Sequence, residues 1–360
     1  MLNDIRSPYI LKYIFNTVKN EKRLNLLRHN KKMQDRLNIS IDDYKFSFFK
    51  IFNEAFNSEV NELDIGFLKL SNKVKEENEL KILSKGKFNE LKVLYLDSNN
   101  ISDITVLQNS YFKGLKYLNL SHNKIIDIEP LSKANFTELR ILYLMNNLIE
   151  NISALNNENF RNLKELNLSK NNITNIESLE NSNFPELNVL YLYENNIQNI
   201  NVLEKLNCPK LKVLDLNNNF ISDINVLKTV NFKELKVLYL AKNKIKDIGV
   251  LEFVNFKQLK EINFTGNMIS NIDVLEKVNF KQLKALNLGQ NNLSDIKVLE
   301  KVNFKKLKYL NLKENMISDI APINKANFKQ LKELNLKYNS ILNIEEIMEL
   351  RIINSRKLKN

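Results

Sequence analysis

Few side chains in this 360-residue sequence are suited to acid–base, nucleophilic or metal chemistry. The histidines are His29 and His122, and the single cysteine is Cys208. A zinc site needs about four ligands brought together, and a catalytic thiol needs a neighbouring base. The six glycines form neither a G-x-G-x-x-G nor a G-x-x-x-x-G-K-[ST] phosphate-binding string. The composition therefore predicts a non-enzymatic protein with no catalytic residues, cofactor or metal.

The spacing of the leucines indicates which elements position the remaining side chains. One leucine recurs every 24 residues, at Leu91, Leu115, Leu139, Leu163, Leu187, Leu211, Leu235, Leu259, Leu283, Leu307 and Leu331. When each of these leucines is counted as position one, positions four and six are apolar in all eleven units. This alternation is typical of a strand with one buried face, and so short a unit cannot bury that face alone. The units are therefore predicted to stack.

Two further columns of side chains run through the repeat. Position 22 is phenylalanine in nine units, and Cys208 takes this place in the fifth, so we expect Cys208 to be a small buried hydrophobic residue. Position nine is asparagine in every unit, and we expect these side chains to bond the turning backbone of stacked units. This structural column is Asn99, Asn123, Asn147, Asn171, Asn195, Asn219, Asn243, Asn267, Asn291, Asn315 and Asn339.

The repeated string resembles the consensus of the leucine-rich repeat family, L-x-x-L-x-L-x-x-N-x-L. It is seen as LKVLYLDSNNI at Leu91–Ile101 and in ten further segments, which cover about 260 residues. Strings such as Ile-Ser-Asp-Ile and Ile-x-Asn-Ile are similar to those of the internalin and phosphatase-regulator branches of that family. The resemblance implies an α/β fold, a solenoid whose curved parallel sheet lies on the concave face.

The patterns predict four segments. Residues 91–350 hold the eleven repeats, and residues 63–90 form a degenerate capping repeat in which Leu80, Leu83 and Phe88 keep the register. Residues 345–360 are expected to form a C-terminal helical cap that overlaps the last repeat. Residues 1–62 lack the repeat and have helical periodicity, which predicts an N-terminal helical bundle.

Part of this N-terminal segment, SPYILKYIFNTVKNEKRLNLLRHNKKMQDRL, resembles an F-box. Ser7 departs from the pattern where leucine is usual, and Met33 stands where tryptophan is usual. The matching residues, which the resemblance implies would dock a cullin-ligase adaptor, are Pro8, Ile10, Leu11, Ile14, Phe15 and Leu24. The alternative is a helical cap whose apolar stripe packs only on the first repeats.

Tyrosines are concentrated at the strand positions that the resemblance places on the concave face, namely positions three, five and seven. Tyrosine and methionine are enriched at the centres of protein interfaces. We therefore hypothesise that a protein partner binds there, against the alternative that tyrosine merely suits a strand. The candidate partner-binding residues are Tyr95, Tyr117, Tyr143, Met145, Tyr191, Tyr193, Asp215 and Tyr239.

A column of basic residues accounts for most of the net charge of +12. Position two is lysine or arginine in ten of the eleven units, and Asn188 is the exception. The column is interpreted as a solvated edge, with an acidic protein partner as the second hypothesis. Nucleic acid or anionic lipid ranks last, because nucleic-acid readers interleave aromatic residues with basic ones, and here the tyrosines lie at other positions.

The sequence thus predicts an interaction scaffold that binds a protein on its concave face. One alternative is a substrate receptor of a cullin-type ubiquitin ligase, and another is a phosphatase-regulatory or internalin-like host-binding protein. No apolar run approaches the roughly 18 residues of a membrane span, and the first residues lack a signal-peptide pattern. We therefore expect a cytoplasmic monomer.

Overall fold

The structure is a computed structural model that describes residues 62–64, 80, 83, 90–109, 112–341 and 358–359. It divides into two compact units, residues 1–148 and 149–360. The predicted helical bundle, apart from residue 62, and all of the F-box-like residues lie outside the described residues. Both therefore remain predictions.

The described residues of the first unit form four parallel strands in chain order. These are β1 (Glu62–Asp64), β2 (Val93–Tyr95), β3 (Tyr117–Asn119) and β4 (Ile141–Tyr143). A 3₁₀ helix, Thr105–Asn109, and one α-helix, α1 (Glu129–Lys133), lie on the segments that return the chain from one strand to the next. The leucines at position four, Leu94, Leu118 and Leu142, are in register across neighbouring strands.

The described residues of the second unit follow the same pattern and form nine parallel strands. They are β5 (Glu165–Asn167), β6 (Val189–Tyr191), β7 (Val213–Asp215), β8 (Val237–Tyr239), β9 (Glu261–Asn263), β10 (Ala285–Asn287), β11 (Tyr309–Asn311), β12 (Glu333–Asn335) and β13 (Leu358–Lys359). The return segments contain one α-helix, α2 (Ala321–Lys325), and the 3₁₀ helices Ser153–Leu155, Glu158–Phe160, Glu177–Asn181, Asn201–Glu204, Asn225–Lys228, Gly249–Glu252, Asp273–Glu276 and Lys297–Glu300. The predicted leucine-rich repeat architecture is confirmed.

The core lies between the strands and the return segments. The leucines at positions one, four and six are almost fully buried, as are the isoleucines at position fourteen of the first ten repeats. Cys208 is also buried, and burial raises the pKa of its thiol to about 12. A thiol with so high a pKa stays protonated at neutral pH, so Cys208 packs as a small apolar side chain.

The two ends of the repeat depart from the predicted arrangement. Leu63 of β1 pairs with Leu94 of β2, so the first connection spans 31 residues rather than 24. At the other end, strand β13 occupies two residues of the segment predicted to be a helical cap, and that prediction is wrong at Leu358 and Lys359. Leu358 follows Leu334 by the repeat length and pairs with it, so one more strand covers the hydrogen-bonding edge of β12.

Candidate protein-interaction surface

The strands present one row of buried side chains and one row of partly exposed ones. In nearly every described strand from β2 to β12, the residue at position four is buried, while those at positions three and five are partly exposed. Because side chains alternate along a strand, positions three, five and seven share one surface within each unit. We call this surface the strand face.

On the strand face of the first unit, three tyrosines pack against one another. The ring centroids of Tyr95 and Tyr117 are 4.9 Å apart, and those of Tyr117 and Tyr143 are 5.5 Å apart in an edge-to-face arrangement. Tyr117 lies at position three of the intervening strand, so its ring bridges two tyrosines that stand two strands apart. Met145, just after β4, is half-buried at position seven. The structure therefore brings the tyrosines predicted in this unit into one half-buried aromatic cluster.

In the second unit, an aspartate on the middle strand lies between two tyrosines. Tyr191, Asp215 and Tyr239 are direct neighbours across β6, β7 and β8. Tyr193 follows at position seven of its repeat and is half-buried. The structure describes no ring contact between Tyr191 and Tyr239, in contrast to the packed tyrosines of the first unit.

The electrostatics of this second group differ from those of an ordinary exposed strand. Asp215 is only 8% exposed, and burial raises the pKa of its carboxyl to about 6 although the backbone N–H of Asn217 stabilises its charge. Burial, followed by the negative charge of Glu261, raises the pKa of Tyr239 to about 12. Burial and the carboxylate of Glu165 likewise raise the pKa of Tyr191.

Sequence reasoning missed Glu165 and Glu261 as members of this group. Both residues lie at position three of their strands, β5 and β9, whereas the three strands between them, β6 to β8, have valine at that position. A search of position three for charge, in addition to the search for tyrosine, could have found them.

The position-nine asparagines bond the backbone of two successive repeats. Asn219, for example, donates from Nδ2 to the carbonyl oxygens of Leu192 at 3.0 Å and Leu216 at 3.1 Å, while its Oδ1 accepts the N–H of Ile197 at 3.0 Å. Ten asparagines of the column are buried, and Asn339 is half-buried. Since an asparagine amide donates and accepts at once, it can satisfy orphan carbonyl and N–H groups together.

The residue at position eight adopts left-handed backbone conformation in every repeat, with φ between 52° and 57° for the ten residues that are not glycine. Gly266 holds this place in the eighth repeat with φ 70°, and a Cβ added there would lie 3.1 Å from Cγ of Lys242. This turn ends each strand and directs the side chain of position nine into the core.

We expect Gly266→Ala to lower the free energy of unfolding by about 1 kcal/mol, because a Cβ is unfavourable in left-handed backbone. Gly249→Ala is the matched control, since Gly249 lies outside the left-handed region and its added Cβ would approach only the flexible side chain of Asp247. Urea unfolding followed by circular dichroism measures both variants. Equal losses would contradict the role of the left-handed turn.

The basic column lies beside the strand face, at the start of each strand. Lys212 bonds Oδ1 of Asn188 at 2.7 Å and pairs with Glu234 at 3.7 Å. Such exposed pairs are worth about 0.2–1 kcal/mol each. The charged amine of Lys212 is therefore bonded to an amide oxygen and paired with a carboxylate of this same chain.

The described residues contain no group of three or more histidine, cysteine or acidic side chains that could hold a metal ion. His122, one of the two histidines, is exposed, and its Nδ1 lies 3.0 Å from Nδ2 of Asn146. Within the same part of the chain, no helix has the length and hydrophobicity to cross a membrane.

Comparison with known proteins places these features in a family. A leucine-rich repeat model matches residues 89–149, 209–269 and 281–341, and two further leucine-rich repeat models match residues 185–229 and 161–176. Together the matches span more than half of the chain. No curated protein matches it.

Two solved structures are similar over most of their length. An internalin (InlF) from Listeria monocytogenes is 28% identical, with a TM-score of 0.67 over 85% of this chain and 89% of its own. A leucine-rich repeat protein from Leptospira interrogans is 19% identical, with a TM-score of 0.55 over 86% of this chain and 98% of its own. The second likeness is one of fold alone.

Proposed function

Since the chain belongs to the leucine-rich repeat family, we propose that it is a non-enzymatic scaffold that binds a protein partner through its strand face. The observation that carries this proposal is the half-buried cluster of Tyr95, Tyr117 and Tyr143. The three rings keep exposed area on a surface that the described residues leave open. Clustered aromatic residues of this kind supply most of the binding energy in protein interfaces.

The proposal is tested by Tyr143→Ala combined with Tyr191→Ala in the full chain. Each substitution removes a ring from the strand face, and a single hot-spot aromatic contributes about 2 kcal/mol or more, so we expect partner affinity to fall by at least about tenfold. The partner is first captured and identified with the unaltered chain, and its affinity is then measured by calorimetry with purified proteins.

A matched control is available in the later repeats. Tyr309 and Tyr338 are 46% and 72% exposed and lie outside the predicted partner-binding set. Tyr309→Ala combined with Tyr338→Ala also removes two tyrosine side chains, and it should leave the affinity for the partner unchanged. Equal affinity of the two double variants would show that the tyrosines of the first seven repeats do not form the binding surface.

The similarity to an internalin favours one of the alternative functions over the other two. InlF is 28% identical over most of both chains, which supports an internalin-like role in binding a host protein as a second candidate. The phosphatase-regulatory alternative has no comparable support, and the cullin-ligase alternative depends on residues outside those described. Capture from host-cell lysate, compared with capture from lysate of the source organism, separates the internalin-like role from an endogenous scaffold.

A further inference from the structure

Asp215 has a negative charge that the repeat does not need. In β5, β9 and β11 the same position is asparagine, and its Oδ1 accepts the backbone N–H two residues further on, at 3.0 Å for Asn167, 2.9 Å for Asn263 and 3.1 Å for Asn311. Asp215 makes the same bond to Asn217 at 2.9 Å. An uncharged amide therefore serves the turn equally well, and the charge of Asp215 requires another explanation.

This charge has no cation to balance it among the described residues. Asp215 is more than nine-tenths buried, and its Oδ2 accepts no hydrogen bond in the described part of the chain. Lys212, in the same repeat as Asp215, pairs instead with Glu234, and Lys170, two repeats earlier, pairs with Glu194. An ionised carboxylate that is buried without a paired cation destabilises the folded chain, and a bound cation reduces that penalty.

The pH dependence of stability follows in sign from the raised pKa. Because the pKa of Asp215 is higher in the folded chain than its ordinary value of 3.8, folding favours the protonated form. The contribution of Asp215 to stability therefore becomes less favourable as the pH rises from about 4 to about 6, and the penalty is complete above that range. At neutral pH the group is mainly an ionised carboxylate.

Aromatic side chains stand on both sides of this carboxylate. Tyr191 and Tyr239 lie on the strands either side of β7, in register with Asp215, so their Cα atoms are roughly 9–10 Å apart. The structure describes no contact between their two rings, so the tyrosines flank the carboxylate without packing on each other. Glu165 and Glu261 add negative charge on the same surface. Such a site suits a cation, which carboxylates and the faces of phenol rings both attract.

We propose that Asp215, Tyr191 and Tyr239 form a receptor for one cationic side chain, arginine or lysine, of the protein partner. An arginine fits best, because its planar guanidinium can bond a carboxylate and stack on an aromatic ring at the same time. This inference rests on the proposed function and gives the partner a basic residue at the centre of the contact. The acidic partner suggested by the basic column concerns the edge of the sheet and remains a separate prediction.

The test is an NMR titration of the full chain, with ¹³C-labelled tyrosine rings, at pH 7.5. The probe is acetyl-arginine methylamide, and its citrulline counterpart is a neutral probe of nearly the same shape. We expect the ring signals of Tyr191 and Tyr239 to shift saturably with the arginine probe and to respond at least fivefold more weakly to citrulline. Equal responses to the two probes, or no saturable shift with arginine, would overturn the proposal.

Asp215→Asn is the decisive variant, because asparagine keeps the bond to Asn217 and the fold while the charge is lost. We expect it to weaken the arginine response at least fivefold. Glu333→Gln, which removes one charge from the strand face at β12, should leave the response unchanged. An arginine response that survives in Asp215→Asn would overturn the receptor.

Failure of this inference can be distinguished from failure of the proposed function, because the titration needs no partner protein. If the double tyrosine variant loses the partner while the arginine probe does not saturate, the scaffold stands and the receptor is wrong. If the probe saturates while the double tyrosine variant keeps its partner, the site binds a cation but not the partner's side chain, and both the proposed binding surface and this assignment are wrong.

Discussion

Asn219→Ala is expected to lower the free energy of unfolding by about 3 kcal/mol, since alanine removes hydrogen bonds made inside the core. The N–H of Ile197 loses its acceptor and is left buried, which costs about 1–3 kcal/mol alone. The carbonyl oxygens of Leu192 and Leu216 each keep a bond from another asparagine of the column, Asn195 and Asn243, so their loss is smaller. Urea unfolding followed by circular dichroism gives the change.

Asn339 provides the matched control for this prediction. It makes the same set of bonds, to Leu312, Leu336 and Ile317, but it is only half-buried. Water can replace those bonds in Asn339→Ala, so we expect a loss of about 1 kcal/mol. If Asn219→Ala unfolds at the same urea concentration as the unaltered chain, the column does not stabilise the stack as the geometry indicates.

The interior of the repeat could be predicted from the sequence because one spacing decides many contacts at once. The residue at position four is a buried leucine or isoleucine in register with the one 24 residues later, and this relation holds from Leu94 to Leu142 in the first unit and from Leu166 to Leu334 in the second. The ends could not be predicted in the same way. At the first strand, the 24-residue spacing from Leu94 points to Leu70, whereas Leu63 is the residue that pairs.

The last strand shows a different limit of sequence reasoning. Helical spacing of apolar residues before residue 355 suggested a cap, and local periodicity says nothing about an unpaired strand edge farther away. That edge belongs to β12, and Leu358 pairs with Leu334 across it. Pairing between strands is a tertiary effect, so it overrides the local pattern where the chain returns to the sheet.

The candidate site was predictable in its tyrosines but not in its electrostatics. Position five identifies Tyr191, Asp215 and Tyr239 as neighbours, because the strands are parallel and in register. The burial of Asp215 and the raised pKa of its carboxyl depend on how the flanking side chains cover it. A repeat pattern predicts which face of the sheet a side chain lies on, but it does not predict how accessible that side chain is to water.

Phe256→Ala is expected to lower the free energy of unfolding by about 3–5 kcal/mol, because it empties a site inside a packed column. Phe256 is 2% exposed and stands between Phe232 and Phe280, which hold the same position in the neighbouring repeats. In a stacked repeat each unit contacts mainly its neighbours, so the cavity weakens the packing on both sides. The measurement is again urea unfolding of the full chain.

Phe253, three residues earlier in the same repeat, is the control, since it is 66% exposed. Phe253→Ala removes the same atoms from the surface and should change the free energy of unfolding by less than about 0.5 kcal/mol. If both alanine variants lose the same free energy of unfolding, burial in the phenylalanine column does not determine the cost of removing the ring. Cys208 shows that the column accepts a smaller side chain where the surrounding residues pack around it, so Phe256→Leu should recover most of the lost stability. A leucine variant as unstable as the alanine one would instead indicate that the column requires an aromatic ring.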